Sequence, residues 1–365
     1  MKIAVFHELT PLSGARKTVE EYGRILNKNN QIDLFYVDDI EDKKINTYFN
    51  KIYFFEFKNK KWRGGDWRRK IYIDFLELIK LYLLHKKIAH LINKGEYDFI
   101  FVNPSKFTQA PFLLRMVNKA IYFCQEPLRT VYDPLFKLPE NLNFFKNFYE
   151  KINRFNRKLI DRKNINKARV VLVNSMFSKG NVKMAYGISA RVCYLGVDAD
   201  KFKQAKEIKS TDALFIGEKE FIEGFDLLDN TGRLYKKTPL VKFVARDING
   251  IGISEKKLVT EINKSKIVLA LSRNEPFGLI PIESMACKVP VIAVNEGGFR
   301  ESVVNGKTGF LVERDPKELK DRIDLLLSDD KLRIEMGESG RKLVLDKFTW
   351  TKSVSNFLNI ARTII

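Results

Sequence analysis

The sequence is poor in cysteine and has no membrane-length apolar run and no internal repeat. Each absence removes a class of protein. Cys124, Cys193 and Cys287 lie far apart in the 365 residues, a spacing that frames neither a disulfide scaffold nor a zinc site and suits a reducing compartment. The opening residues MKIAVFHE enter a strand directly, so neither a signal-peptide core nor a spanning helix is expected. No low-complexity tract interrupts the chain. What is present, 45% apolar and 30% charged residues, is the composition of a globular protein. A chain of this length suits two domains, each with a full hydrophobic layer.

Charge is unevenly spread. Of the formal +20, residues 1–210 carry 40 Lys and Arg against 22 Asp and Glu, or +18. Residues 211–365 carry 25 against 23, or +2. Such a basic half suits an anionic partner: nucleic acid, a membrane surface or an acidic substrate.

Short continuous apolar runs recur between helical stretches: KIAVF, IDLFYV, KIYFFEF, DFIFVN, AIYFC and RVVLVN before residue 175, then DALFIG, LVKFVA, KIVLAL, VPVIAV and GFLV. Continuous rather than alternating runs mark parallel strands covered by helices on both faces. An α/β fold of two Rossmann-like parallel-sheet domains is therefore expected. Its N-terminal domain covers 1–195, a polar linker 196–211, the C-terminal domain 212–347 and an amphipathic terminal helix 348–365. Ligands of open α/β sheets bind at the carboxyl ends of the strands, which places the chemistry in a cleft between facing domains.

The stretch SRNEPFGLIPIES, Ser272 to Ser284, follows one such strand. Pro276 and Pro281 fall before and in the first turn of a helix, where a missing N–H costs little. Phe277, Gly278, Leu279 and Ile280 form a helix N-terminus suited to phosphate. Glu275 and Glu283 stand on either side of it, roughly 12 Å apart for a helical rise. That is about the span of a diphosphate with a sugar at each end. On spacing alone, solvated helix-start carboxylates fit equally well.

Glu275, seven residues and Glu283, followed by PVIAVNEGGFRESVVNGKTGFLV (290–312) and preceded by VLVNSMFSKGNVKMAYGISARVCYLGVDADKF (171–202), resemble the family 4 retaining glycosyltransferases of GT-B fold. The likeness is strong over about 170–350 and weaker over 1–130. It implies a nucleoside diphosphate sugar donor held by the C-terminal domain, an acceptor held by the N-terminal domain, no metal ion and no other cofactor. It also implies a terminal helix packed back toward the N-terminal domain. By the resemblance Glu275 contacts the donor sugar and Glu283 the ribose, with Phe277, Gly278, Leu279, Ile280, Gly217, Arg246 and Arg273 around the donor. Gly14, Ala15 and Arg16 match the loop near the phosphate and acceptor. Glu126 and Arg129 lie on the acceptor side. Gln125 stands where many relatives place a histidine; it can hydrogen-bond but cannot take a proton at neutral pH.

One departure is sharper. Where the family commonly has an Arg and a Lys facing the diphosphate, this chain has Glu218 and Glu223. Two anions there weaken donor binding unless Lys219, Arg246 or Arg273 compensates.

FKNKKWRGGDWRRK (57–70) holds seven basic residues, one acid and two tryptophans, and 146–169 holds nine basic residues against two acids. Lys60, Lys61, Trp62, Arg63, Trp67, Arg68 and Arg69 suit an anionic bilayer interface. A solvated loop is the alternative, and no nucleic-acid fold signature accompanies the mixture. The expectation is a cytoplasmic hexosyltransferase, peripheral on the inner face of the cell membrane, moving a sugar to a glycan or lipid-linked acceptor. A weak or inactive GT-B protein that binds a glycan or a partner glycosyltransferase is the alternative, with a GT-B epimerase third.

Overall fold

The computed structural model describes residues 1–8, 14–39, 45–58, 72–139, 141–244 and 253–364. These divide into two compact units: Met1–Asn174 with Lys179–Val192 and Asn356–Ile365, and Ser175–Ser178 with Cys193–Ser355.

The first unit is built on a seven-stranded sheet in the order β3-β2-β1-β4-β5-β6-β7. Its strands are β1 (Lys2–Glu8), β2 (Gln31–Asp38), β3 (Lys51–Glu56), β4 (Phe99–Val102), β5 (Ala120–Phe123), β6 (Val170–Val173) and β7 (Arg191–Val192). Every pairing is parallel. Ile3, Ala4, Val5 and Phe6 are all buried, which is why β1 is apolar at successive positions and not at alternate ones. Against this sheet Tyr22 of the helix Gly14–Leu26 stacks on Phe101 at 5.3 Å between ring centroids, and Phe357 meets both rings.

The second unit has a five-stranded parallel sheet, order β12-β11-β10-β8-β9. Its strands are β8 (Thr211–Ile216), β9 (Val241–Val244), β10 (Ser265–Ala270), β11 (Val291–Val294) and β12 (Gly309–Val312). Each apolar run singled out in the sequence became one of these twelve strands. Only the two-residue β7 was not among them, because Arg191–Val192 has no apolar run of its own. Helix starts carry the expected caps: Asp315 accepts from Lys317 N at 3.0 Å, with Pro316 at the first helical position.

Residues 196–202 do not behave as a polar linker. Val197 bridges Thr349, Phe202 is wholly buried, and Arg341 donates to the Phe202 and Ala199 carbonyls. The second unit therefore begins at Cys193, ahead of the expected boundary, because three buried side chains anchor this stretch to it: Cys193, Val197 and Phe202. The terminal helix Trp350–Arg362 is shared, its residues from Asn356 belonging to the first unit. Among the described residues no helix is long and apolar enough to cross a membrane.

Candidate functional site

In the second sheet the chain runs outward from β8 to β9 and returns on the other side of β8 to β10. The carboxyl ends of β8 and β10 thus flank the point where strand order reverses, the usual ligand position in an open α/β sheet. Glu223 and Ser272 meet there: Ser272 Oγ donates to Glu223 Oε2 at 2.8 Å. Arg273 N donates to the Ile222 carbonyl at 2.8 Å, fixing one loop on the other.

Glu275 lies in the next loop, partly exposed. The two glycines of NEGGFRE hold that loop by their backbone. Gly298 N donates to Glu275 O at 2.8 Å. A Cβ on Gly297 would sit 2.4 Å from Glu275 O, and one on Gly298 would sit 2.4 Å from Phe277 Cα. Ser175 Oγ donates to Pro276 O at 2.5 Å, and Glu301 accepts from Met176 N and Phe177 N at 2.8 and 2.9 Å. Main chain and buried groups therefore set where Glu275 stands.

The helix Leu279–Ala286 follows, with Gly278 at its N-cap and no side chain capping it. The glycine is required by the backbone and by packing: its φ is +82°, and a Cβ would lie 2.3 Å from the Phe299 ring. The uncapped first turn, at Leu279 and Ile280, is a donor-rich end suited to an anion.

Several sequence expectations change here. Phe277 is buried, its ring 5.9 Å from Tyr194 and 5.6 Å from Phe348. Its side chain serves the core, and only its backbone borders the loop. Glu283 is not an open cleft carboxylate, being 1% exposed. Cys287, one turn on, has its thiol pushed up to about 12, first by burial and then by the Glu283 charge. Arg273 does not stand as an unoccupied cation: Nη1 and Nη2 bind Asp226 at 2.6 and 2.7 Å, and the guanidinium lies over the Phe221 ring. Asp226 is held below the usual carboxylate range by these bonds. Lys219 likewise sits over the Phe243 and Phe225 rings. Gly217 ends β8 beside Glu223, and Glu218 is exposed. Arg246 and the membrane residues Lys60, Lys61, Trp62, Arg63, Trp67, Arg68 and Arg69 lie outside the described residues.

The first sheet has its own reversal, between β1 and β4. Gly14, Ala15 and Arg16 open a helix here, Arg16 pairing with Glu20 at 3.0 Å. Asn103 donates to Ala15 O at 2.8 Å and to His7 Nδ1 at 3.2 Å. Burial, with Arg16 nearby, lowers His7 to about 3, so the imidazole is neutral and its ring proton sits on Nε2. Gln125 Nε2 reaches Thr18 Oγ1 of the same helix at 3.5 Å, which brings Gln125 and the Gly14–Arg16 turn together. Glu126 and Arg129 engage each other at 3.7 Å, and Arg129 also binds Asp133 at 3.2 Å.

His7 and Asn103 were missed in the sequence. A histidine at the carboxyl end of the first strand was the available signal. Buried Asp161 was missed as well. It accepts from Ala110 N at 3.0 Å and Tyr186 OH at 2.5 Å, pinning the segment that carries Gln109, whose side chain donates to Glu126 O at 2.8 Å. Burial raises its carboxyl to about 7, although both bonds favour the ionised form. A raised folded pKa gives stability that is complete below the unfolded value near 3.8 and lost as pH rises through 7. Denaturant unfolding should therefore show wild type losing about 3 kcal/mol between roughly pH 5 and 8 relative to Asp161→Asn. Parallel pH profiles for the two proteins would remove Asp161 as the cause.

Comparison with known proteins bears on the family and the fold. The family described as "Glycosyl transferases group 1" matches residues 249–343, which hold the Glu275–Glu283 segment and both glycines. An uncharacterized glycosyltransferase of Methanocaldococcus jannaschii is 35% identical over 152 residues, 40% of this chain and 42% of that protein. Over these residues the chain is similar to the group 1 glycosyltransferases. Its match spans less than half the length of that curated relative. Two solved structures share the fold over nearly the whole chain. Sucrose-phosphate synthase from Thermosynechococcus elongatus has a TM-score of 0.72 at 16% identity, covering 100% of this chain and 99% of that one. Anabaena HepE, solved in complex with UDP and glucose, has a TM-score of 0.70 at 16% identity, covering 99% of each chain. The fold of the chain is thus GT-B. Among its described residues, no group of three or more His, Cys, Asp or Glu could hold a metal ion.

Proposed function

We propose that the chain transfers a hexose, with retention of anomeric configuration and without a metal ion, from a nucleoside diphosphate sugar to a glycan or lipid-linked acceptor at the inner face of the cell membrane. The observation that carries this reading is the placement of Glu275 by Gly297 and Gly298 beside an uncapped helix N-terminus at a strand-order reversal. The backbone N–H groups at Leu279 and Ile280 take the diphosphate and stabilise the charge it gains as the glycosidic bond breaks. Glu275 accepts from the sugar hydroxyls. Glu283 is the ribose acceptor, and its burial requires the nucleotide to displace the groups that cover it. Gln125, beside the Gly14–Arg16 turn, hydrogen-bonds on the acceptor side without acting as a base.

HepE was solved with UDP, which makes uridine sugars the first to test. A thermal-shift panel of UDP, GDP and ADP sugars checks the proposal, since a ligand at one hundred times its Kd stabilises by about 2.7 kcal/mol. No shift with any donor would refute it.

A second reading, a donor-weak protein that binds a glycan or a partner enzyme, is favoured by the exposed Glu218 and by Arg273 being committed to Asp226. Glu218→Arg separates the two. If the diphosphate approaches the end of β8, calorimetric affinity rises by about tenfold as repulsion becomes attraction across the loop. Unchanged affinity would place Glu218 away from the donor.

A further inference from the structure

The helix Phe144–Ile165 is turned opposite to the ordinary amphipathic arrangement. Phe144, Phe148, Ile152, Phe155 and Leu159, spaced four, four, three and four residues apart, form one stripe. That stripe faces outward, with Phe144 77% and Phe155 60% exposed. The opposite side is the buried one. Asp161 and Asn164 lie within the unit, Asn164 donating to Ala110 O at 2.7 Å, and Arg157 donates to Phe107 O at 3.1 Å. Polar groups thus hold the helix to its body while phenylalanines stand in water.

A second helix, held to its body by apolar Leu81, Ile88 and Ile92, also sets apolar side chains in water. In Leu78–Lys94 and the turn before it, Phe75, Leu76, Ile79, Tyr82 and Leu83 are all exposed. Between the two helices lies a groove of about 430 Å³, lined by Phe75, Ile79 and Tyr82 on one side and by Arg157, Leu159 and Lys163 on the other, so that the first stripe reaches it at Leu159. Two helices far apart in sequence therefore flank one groove, and each sets a run of apolar side chains in water where an ordinary surface has them scattered singly.

We infer that this paired-helix face of the N-terminal unit is the surface the protein lays into an anionic lipid bilayer. The inference rests on the membrane-surface element of the proposed function and moves its centre from the 57–70 loop to these helices. Charge decides the occupant. Exposed Lys146, Lys151 and Lys163 accompany one stripe and exposed Lys80, Lys86 and Lys87 the other, whereas Asp161, one of the two acids in 144–165, is buried. A second copy would press like charge on like charge. Anionic headgroups meet the lysines while the rings enter the acyl boundary, as in helices that lie in the plane of an interface.

Flotation of the full chain with vesicles of phosphatidylcholine alone, or with added phosphatidylglycerol, tests this. Wild type should float with the anionic vesicles. The triple variant Phe144→Gln, Phe148→Gln, Phe155→Gln should lose about a hundredfold in partitioning, since three rings no longer enter lipid. Its thermal shift with the donor should stay as in wild type, because none of the three lies at the donor site. Phe148→Trp should show blue-shifted emission with anionic vesicles, and unshifted emission would overturn the placement even if the triple variant misfolds. If the triple variant floats like wild type while Lys60→Gln, Lys61→Gln, Arg68→Gln, Arg69→Gln does not, the membrane reading stands and this face is wrong. If wild type binds neither vesicle, both fall. Concentration-dependent self-association of wild type, absent in the triple variant, would assign the face to a second copy instead.

Discussion

Glu275→Gln should lower kcat/KM for the best donor by about 10²–10³ while leaving the unfolding midpoint nearly unchanged. The separation follows from how the residue is held. Its main-chain oxygen accepts from Gly298 N at 2.8 Å and the neighbouring Pro276 carbonyl accepts from Ser175, so the backbone lattice survives a side-chain change. Glu275 itself is partly exposed, where its carboxylate can reach a ligand. Glu283→Gln makes the contrast. That side chain is 1% exposed, so the substitution should move stability and donor KM together. Steady-state kinetics beside calorimetric unfolding read both; wild-type kcat/KM in Glu275→Gln would end its assignment to the donor sugar.

Gly298→Ala should be strongly damaging although it adds a single carbon. Its Cβ would lie 2.4 Å from Phe277 Cα and 2.5 Å from Pro276 O, and backbone has no rotamer with which to move aside. A loss of about 2–5 kcal/mol, with activity lost as the Glu275 loop shifts, is expected. Gly297→Ala adds a left-handed backbone, φ +56°, to a contact of 2.4 Å with Glu275 O. Two controls give the scale. Gly306→Ala has φ +73° with nothing within 4 Å, so only conformational strain of about 1 kcal/mol applies. Gly180→Ala, in a helix with the same open space, should be neutral or stabilising. Urea unfolding should find Gly297→Ala and Gly298→Ala the least stable, then Gly306→Ala, then Gly180→Ala, and equal stability of Gly298→Ala and Gly180→Ala would show that the two loops are not packed as described.

The sequence alone was sufficient for every strand but β7. Continuous runs such as KIAVF and KIVLAL became β1 and β10, because a strand buried on both faces needs apolar side chains at every position and few other structures do. Pro276 and Pro281 marked the helix start for an equally local reason, the missing N–H, and the left-handed φ of Gly278 emerged with the structure. Gln125 was legible as a loop residue after β5, though not its approach to Thr18.

What a side chain does once its element is formed depends on partners distant in the chain. Arg273 read as a donor cation until Asp226, 47 residues away, proved to hold it. Phe277 read as part of a ligand turn, and Tyr194 and Phe348 turned it into core. Helix 144–165 is the clearest case. Its charge was visible in the sequence, but an apolar stripe ordinarily faces inward. Here Ala110 and Tyr186 require the hydrogen bonds that Asp161 and Asn164 supply. Satisfying those buried polar groups rotates the helix so that its polar edge is covered and its phenylalanines face outward, because an unpaired polar group in the interior costs more than an aromatic ring in water.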